Sequence, residues 1–237
     1  MMAEASESSP VAVFGDRDAD VWGIVRGGNR PVAAVAGLAE ADAQLRPAEL
    51  DTAEDDVWTL LAPGWDLRLE RAAAETTTES PEPRLLPCRV SGSAEIGGRR
   101  REFDVGGVRG TLGHAGIESL RLFAAWFPAG HALGLISVRA PGAKGHDRDR
   151  LEVVARGEAH PLVVDPRLST TYGADGTPRR VGVELWLGDD AEGDLWPRRV
   201  AGAATGSSVE GPGFSAHALE CISRGELGAG VYVLAHP

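Results

Sequence analysis

The sequence predicts an all-β protein, and three observations support this fold class. Glycine and proline occur 31 and 15 times and divide the chain into short segments. Most segments alternate apolar and polar residues or are rich in valine, leucine and aromatic residues, as β-strands are. Helical periodicity is scarce, and only residues 38–45 and 70–75 compete as short helices. We therefore expect ~14 strands separated by turns every ~8–15 residues, the spacing of sandwiches and barrels.

The clearest strand is the segment WDLRLE, residues 65–70. Its tryptophan and two leucines alternate with three charged residues, as a half-solvated antiparallel strand requires. The best hairpin is CRVSGSAEIGGRRREFDV, because Gly97 and Gly98 can adopt the positive φ angles of a two-residue turn. A second hairpin is predicted in LRLFAAWFPAGHALGLISVR, with Pro128 to Gly130 as its turn. Further strands are predicted at 20–26, 32–37, 57–61, 151–156, 161–165, 180–187, 198–205, 214–222 and 229–235.

The length of 237 residues suits one large all-β domain or two smaller ones. Residues 72–84, AAAETTTESPEPR, are typical of an exposed loop or linker. A softer break falls at residues 110–118, and each half of the chain looks like a set of meandering strands. These features favour two domains, residues 1–113 and 114–237.

Composition and charge exclude several classes of function. The net charge of −11 repels phosphate backbones, so we expect no nucleic-acid partner. The N-terminal segment lacks the basic and apolar regions of an export signal, and no apolar run reaches the ~20 residues that a membrane helix needs. We expect a cytoplasmic protein without membrane insertion. Cys88 and Cys221 lie in no metal or redox spacing and are interpreted as small buried apolar residues.

No common catalytic or cofactor motif is present. Walker, GxSxG, HExxH and dinucleotide fingerprints are all missing, and GGVRG lacks the spacing and the following helix of a phosphate loop. His146, Asp147 and Asp149 in the segment GAKGHDRDR offer nitrogen and oxygen ligands to a metal. The alternating charges of this segment favour a solvated loop instead. We expect neither a metal nor a cofactor.

The hairpin DPRLSTTYGADGTPRRVGVELW, residues 165–186, combines a strand pattern with many polar residues. Its second strand places valines and leucines on one face and Glu184 and Trp186 on the other. Outside a barrel such a glutamate is simply solvated, whereas in a lumen it must be paired or shifted in pKa. Arg167 and Tyr172 on the partner strand and turn are able to pair with it. Both alternatives stay open at this point.

His114 lies at the expected junction of the two halves, where ligand clefts tend to form. A histidine there can act as a general acid or base, because imidazole titrates near neutral pH. The competing interpretation is a hydrogen-bonded linker residue.

The hairpin at 165–186, together with RLFAAWFPAGHALGLISVRAPGAKGHDRD, resembles a group of actinobacterial-type proteins of unknown function. Those proteins are in turn similar to distant members of the carotenoid 1,2-hydratase and tocopherol cyclase-like superfamily. The resemblance covers residues 85–205. It implies two lipocalin-like antiparallel β-barrels or sandwiches packed together, with a ligand site in or between them.

The resemblance implies a site role for one residue of this sequence. In that superfamily the first half closes with a pattern similar to G-x-R-D-H-x-W-G, whose polar residues face the site. The matching stretch here begins at Gly107 and keeps Arg109, but Gly110 and Thr111 occupy the Asp and His positions. His114 is nearby in a different register. A site role is therefore implied for Arg109 alone.

Two functions are predicted from these features. The first is binding of a hydrophobic small molecule, such as an isoprenoid, polyketide or acyl compound, because antiparallel barrels enclose apolar cavities. Four residues would anchor it: Arg109, Trp126, Arg167 and Trp186.

The alternative is an enzyme of the hydratase, cyclase or isomerase type, a lyase or isomerase that acts by proton transfer. Glu184 would be the acid, Tyr172 or His114 would relay the proton, and Trp126 or Trp186 would stabilise a developing cation. A third possibility is a structural or interaction protein whose barrels are filled with side chains.

Overall fold

The computed structural model describes residues 8–41, 43–72, 75–76, 85–113, 117–143, 149–156, 163–188 and 198–235. The predicted all-β class is confirmed, because β-strands and a single 3₁₀ turn at Pro128–Gly130 are the regular elements of these residues. In chain order the strands are β1 (Ser8–Asp16), β2 (Val21–Arg26), β3 (Val32–Ala36), β4 (Arg46–Pro47), β5 (Glu49–Asp51), β6 (Val57–Ala62), β7 (Trp65–Arg71), β8 (Glu75–Thr76), β9 (Leu85–Ile96), β10 (Arg99–Gly113), β11 (Ser119–Trp126), β12 (Ala132–Arg139), β13 (Asp149–Arg156), β14 (Val163–Tyr172), β15 (Pro178–Leu187), β16 (Arg199–Gly211), β17 (Phe214–Ser223) and β18 (Glu226–Ala235).

The first sheet has the strand order β4-β3-β2-β1-β10-β9-β7-β6-β5. All of its neighbouring strands pair antiparallel. Its two edge strands, β4 and β5, follow each other directly in the chain, so the sheet curls back on itself into a nearly closed barrel. We call it the first barrel.

The second sheet has the strand order β14-β15-β16-β17-β18-β11-β12-β13-β8. β13 also contacts β14, which brings the ends of this sheet together into the second barrel. The short strand β8 pairs with β13, although it precedes β9 and β10 of the first sheet in the chain. Part of the predicted loop at 72–84 is therefore a strand of the second sheet.

Three buried apolar clusters explain how the two barrels are filled and joined. One cluster draws only on strands and loops of the first sheet and includes Phe14 and Trp58. Another draws only on the second sheet and includes Phe123 and Tyr232. The third combines residues of both sheets, among them Trp22 and Trp126, so it is the layer between the barrels. Because burial of apolar surface is the main favourable term in folding, this shared layer holds the barrels together.

The local expectations about strands and turns are largely confirmed. Trp65, Leu67 and Leu69 are buried and alternate with exposed charged or half-buried positions. Gly97 and Gly98 have φ angles of 57° and 72° and connect β9 to β10 as a two-residue turn.

The two segments that compete as short helices in the sequence contain no helix among their described residues. The described part of residues 38–45 consists of turns and irregular backbone, and residues 70–71 belong to β7. Segments this short form only marginal helices in the absence of tertiary packing, and here strand pairing between β7 and β9 prevails at the second segment.

Two further findings concern the described residues alone. None of their helices has the length and apolar character that crossing a bilayer would take. Within the same ranges, no three or more His, Cys, Asp or Glu side chains are grouped so that they could hold a metal. His146 and Asp147 of the suspected metal loop lie outside the described residues.

Candidate functional site

A cleft of about 460 Å³ opens where the two barrels meet. Its walls come from the turn between β1 and β2, from β9 and β10, and from the turn between β11 and β12. Small-molecule sites typically have volumes of roughly 300–1,000 Å³, so the cleft is large enough for a ligand. It is the inter-barrel cleft of the following paragraphs.

Trp126, a predicted ligand contact, lines the inter-barrel cleft. It is the last residue of β11, whose side chains alternate between the interior of the second barrel, where Phe123 lies, and the layer between the barrels. This alternation turns the indole of Trp126 toward the first barrel, where only 5% of the residue is exposed.

Glycines of the first barrel make room for this indole. A Cβ atom added to Gly106 on β10 would lie 2.5 Å from Cδ1 of Trp126, and one added to Gly15 would lie 3.3 Å from Cζ3. The first of these distances is too short for any real side chain, because protein interiors are close-packed. The backbone of the first barrel can therefore lie this close to Trp126 only with glycine at position 106.

The indole nitrogen of Trp126 is buried and has no hydrogen-bond partner among the described residues. Leaving a buried donor without a partner costs about 1–3 kcal/mol. Groups of this kind in native proteins call for a specific explanation, such as water or another molecule at the site. This nitrogen lies at the contact with β10, since a Cβ atom added to Gly106 would lie 3.1 Å from it.

His131 brings an imidazole to the same cleft. It directly follows the 3₁₀ turn at Pro128–Gly130, in which Gly130 has a φ angle of 80°. The backbone N–H of Phe127 donates a 2.9 Å hydrogen bond to the carbonyl oxygen of His131, which closes the turn. An imidazole can both donate and accept hydrogen bonds, so the turn presents a versatile polar group beside the indole.

Charged residues at the rim make the cleft acidic. Asp16, Asp18 and Asp104 contribute carboxylates, whereas Arg89 contributes the one cation among the lining residues that the structure describes. Arg89 forms a bidentate pair with Asp104, and this hydrogen bond and its charge raise the pKa of the guanidinium. Asp16 Oδ1 accepts a 2.7 Å hydrogen bond from the N–H of Ala19 and so stabilises the β1–β2 turn.

The predicted site residues Glu184 and Trp186 lie elsewhere, on the outer face of the second barrel. Val183 and Leu185 on the opposite face of β15 are buried in the barrel interior. The Glu184 side chain is 46% exposed and its Oε1 lies 3.8 Å from Nε of Arg199. Glu184 is therefore half-exposed to solvent and is not enclosed by the apolar interior of the barrel.

Arg167 and Trp186 form an exposed cluster on that outer face. The Arg167 guanidinium carbon lies 5.1 Å from the centre of the Trp186 ring, and its NH2 donates a 2.7 Å hydrogen bond to Asp165. The same pairing with Asp165 raises the pKa of Arg167. Trp186 is 40% exposed. These residues stabilise each other in solvent and take no part in the inter-barrel cleft.

Arg109 points into the first barrel and also lies apart from the cleft. Its guanidinium carbon is 4.7 Å from the centre of the Trp58 ring, and it donates hydrogen bonds to the carbonyl oxygens of Leu69 and Asp55. Burial lowers its pKa, and its Nε has no partner among the described residues. Residues 106 and 109 lie on opposite faces of β10, and Arg109 is not among the described residues that line the inter-barrel cleft.

Tyr172 does not line the cleft either. Tyr172 ends β14 and is 46% exposed. It lies beside the buried phenol of Tyr232 and contributes to raising the pKa of that phenol, after burial, which is the main cause. His114 lies outside the described residues. Of the six predicted site residues that the structure describes, only Trp126 lines the inter-barrel cleft.

Sequence reasoning missed the polar residues that accompany Trp126. His131 had a usable signal, because it directly follows a turn that the sequence predicts, at the end of a strand that contains Trp126. Arg89 and Asp104 come together only through the pairing of β9 with β10, in which Gly106 lies opposite Arg89. Asp16 and Asp18 belong to a different hairpin, and no local pattern links them to the cleft.

The comparisons with known proteins identify the fold. No protein-family model and no curated protein sequence matches the chain. The structure of kievitone hydratase from Nectria haematococca superposes with a TM-score of 0.63 at 9% identity, covering 96% of this chain and 88% of that one. The structure of CghA has a TM-score of 0.61 at 10% identity, covering 97% and 87%. A Nitrosomonas europaea structure has a TM-score of 0.62 at 10% identity, covering 96% and 92%.

These similarities span nearly the whole chain, so they concern both barrels and their arrangement. They confirm the predicted fold of two lipocalin-like barrels, and the resemblance stated from the sequence is confirmed at the level of the fold. Identities of 9% and 10% carry no transfer of residues or activity.

Proposed function

We propose that the protein binds a small, largely apolar molecule in the inter-barrel cleft. The observation that carries this proposal is the indole of Trp126, which is held in the cleft wall by Gly106 with its N–H lacking a described partner. Ligand sites combine apolar and aromatic walls with a few placed polar groups, and they form preferentially between domains. Trp126, Phe127 and Val105 are such a wall, and His131 is such a polar group.

The charge of the cleft restricts the classes of molecule that can bind in it. Three carboxylates outnumber one guanidinium at the rim, so an anionic ligand would be repelled. Carboxylates accept hydrogen bonds and do not donate them when ionised. The best match is a neutral ring compound that carries a hydroxyl or phenol group, whose O–H points to the acidic rim and whose oxygen accepts from Trp126 or His131.

Identification of a bound compound tests the proposal without assuming a reaction. The purified protein would be extracted with organic solvent and the extract analysed by mass spectrometry. We expect a lipophilic compound with a hydroxyl group in extracts of the wild type. It should be absent from extracts of Gly106→Val, in which the new side chain displaces Trp126.

A matched pair of probes tests the chemistry of the site directly. We expect saturable binding of 1-naphthol, with binding of 1-methoxynaphthalene at least 10-fold weaker because it lacks the donor. Gly106→Val and His131→Leu should each weaken 1-naphthol binding, whereas Gly182→Val on the outer face should not. Equal binding of both probes, or wild-type affinity in Gly106→Val, would contradict the proposal.

An enzyme of the hydratase or isomerase type is the second candidate. His131 favours it, because an imidazole that lines a cleft with carboxylates nearby is able to move a proton to or from a ligand. The fold is also that of a protein named kievitone hydratase. Incubation of the extracted compound with the enzyme in D₂O distinguishes the two functions. Catalysis would place deuterium on a carbon atom in the presence of the wild type but not of His131→Leu, and simple binding would not.

A further inference from the structure

A second cavity, of about 640 Å³, lies on the outer face of the first barrel. It is formed by three neighbouring strands, β7, β9 and β10, and its lining residues are Asp66, Arg68, Ser91, Gly92, Ser93, Glu102, Phe103 and Asp104. We call it the outer groove. Asp104 lines both the outer groove and the inter-barrel cleft, so the two cavities are neighbours.

The alternation of side chains along β10 explains why the outer groove continues the cleft. Glu102, Asp104 and Gly106 are two positions apart and therefore lie on the same face of the strand. Gly106 is the residue against which the Trp126 indole packs. Asp104 follows at about 7 Å and Glu102 at about 13 Å along the strand. A molecule with its ring beside Trp126 can therefore extend along β10 into the outer groove.

The floor of the outer groove consists of two rows of paired residues. Each row has a serine of β9 at its centre and a charged residue of β7 and of β10 on either side. The rows are Arg68, Ser91 and Asp104 next to the cleft, and Asp66, Ser93 and Glu102 beyond it. Residues paired across antiparallel strands point to the same side of the sheet, so hydroxyl, guanidinium and carboxylate groups lie side by side.

Several of these groups are available to a ligand. Among the described residues, the carboxylates of Asp66 and Glu102 have no hydrogen-bond or ion-pair partner, and neither does the hydroxyl of Ser91. Ser93 is only 6% exposed, and its Oγ accepts a 2.6 Å hydrogen bond from Nη2 of Arg100. The hydroxyl proton of Ser93 has no acceptor in the described part of the chain, so this buried group retains a donor.

The mixture of groups in the outer groove favours a ligand with several hydroxyls. Ionised carboxylates only accept hydrogen bonds, serine hydroxyls donate and accept, and a guanidinium only donates. Arg68 uses its Nε for a 2.7 Å hydrogen bond to Glu70, which leaves its other N–H groups for the groove. Each hydroxyl of a sugar also donates and accepts, so it matches this lining. An ammonium group would be repelled by Arg68, and an anion would be repelled by the three carboxylates.

We propose that the ligand of the inter-barrel cleft is a glycoside, with its apolar ring beside Trp126 and its sugar in the outer groove. The carboxylates of Asp66 and Glu102 accept hydrogen bonds from the sugar, and Ser91 and Ser93 donate to its oxygens. This inference rests on the proposed function and restricts it from a hydroxyl compound to a glycosylated one.

Two ethers of the same ring, 1-naphthyl β-glucoside and 1-methoxynaphthalene, are matched probes, because only the glucoside carries a sugar. We expect the glucoside to bind wild-type protein at least 10-fold more tightly in a calorimetric titration. A third probe, 1-(aminomethyl)naphthalene, tests whether a cation is bound equally well. We expect it to bind more weakly than the glucoside.

Variants locate the sugar. Asp66→Ala and Glu102→Ala should each weaken glucoside binding on the order of 3- to 10-fold, the usual effect of losing one hydrogen-bonding group. Glu95→Ala is the matched control, because Glu95 is an exposed carboxylate on the same face of β9 that lines a different cavity. All three side chains are exposed, so the variants should fold. Their affinity for 1-naphthol should equal that of the wild type, since none of the three lines the inter-barrel cleft.

Three results would overturn this proposal: equal affinities for the glucoside and 1-methoxynaphthalene, tighter binding of the amine than of the glucoside, or wild-type glucoside affinity in a variant that combines Asp66→Ala with Glu102→Ala. Each of them leaves the proposed function standing if Gly106→Val still weakens 1-naphthol binding. Binding of 1-naphthol that Gly106→Val does not weaken would instead refute the proposed function itself.

Discussion

The two tryptophans near the ends of the second barrel, Trp126 and Trp186, have similar neighbours and different environments. Trp126 lines the same cleft as the Arg89–Asp104 pair, and Trp186 stacks on Arg167, which pairs with Asp165. Trp126 is 5% exposed between two barrels, whereas Trp186 is 40% exposed on an outer face.

This difference shows that residue type does not distinguish a site from a solvated surface in a double barrel. The deciding property is the face of the strand and what packs against it. Trp126 meets the glycine-lined backbone of the first barrel, and no described element of the first barrel packs against Trp186. The predictions below test this contrast, from the largest expected effect to the smallest.

Truncation of the two tryptophans should give the largest difference. Trp126→Ala should lower the free energy of unfolding by about 3–5 kcal/mol, the usual cost of removing a large aromatic side chain from a core. Trp186→Ala should lower it by less than about 1 kcal/mol, since exposed substitutions have small effects. Urea unfolding monitored by circular dichroism measures both. Equal losses would contradict the contrast.

Two of the arginines that stack on tryptophan rings, Arg109 and Arg167, form the next comparison. Arg109→Gln should cost about 1–3 kcal/mol, because the carbonyl oxygens of Leu69 and Asp55 lose a buried donor. Arg167→Gln should leave the urea midpoint unchanged, since its ion pair with Asp165 is exposed to solvent. A shift in the Arg167 variant as large as that in the Arg109 variant would show that the outer cluster is structural.

Replacing Gly106 and Gly182 in turn distinguishes crowding against Trp126 from the general effect of replacing a glycine in a strand. Gly106→Val should cost about 1–3 kcal/mol through overpacking against the indole. Gly182→Val should cost less, because a Cβ at that position meets only the Ser169 hydroxyl, at 2.8 Å on the outer face. Thermal and urea unfolding measure the stability difference, and the 1-naphthol titration shows whether it accompanies loss of binding.

Glu184→Gln should have the smallest effect. Its pair with Arg199 is long, at 3.8 Å, and half-exposed, so we expect a change within about 0.5 kcal/mol and no change in ligand binding or turnover. Loss of turnover in this variant, measured once a substrate is known, would restore Glu184 as the proton donor that the sequence predicts.

Some elements of this fold can be predicted from the sequence alone. Alternation in WDLRLE predicts the buried face of β7, and Gly97-Gly98 predicts the β9–β10 turn, because both features are local. The same alternation places Glu184 and Val183 on opposite faces of β15. Alternation alone does not tell which face of a strand lines the barrel interior. The interior of each barrel and the layer between the barrels are both apolar.

Local sequence patterns cannot predict the inter-barrel cleft. The apolar run around Trp126 has no polar alternation, because β11 is buried on both faces, so its sequence cannot assign the indole to the lumen or to the inter-barrel layer. Asp104 and His131 become neighbours only when a hairpin of the first barrel meets one of the second. Such proximity depends on how the barrels pack.

Titration of wild-type protein and Gly106→Val with 1-naphthol tests the central claim most directly, with Gly182→Val as the matched control. The inter-barrel site predicts saturable binding in the wild type and in Gly182→Val, and at least a 10-fold loss in Gly106→Val. Equal affinities in all three proteins would contradict it, because binding would then not depend on the wall that Trp126 and Gly106 form.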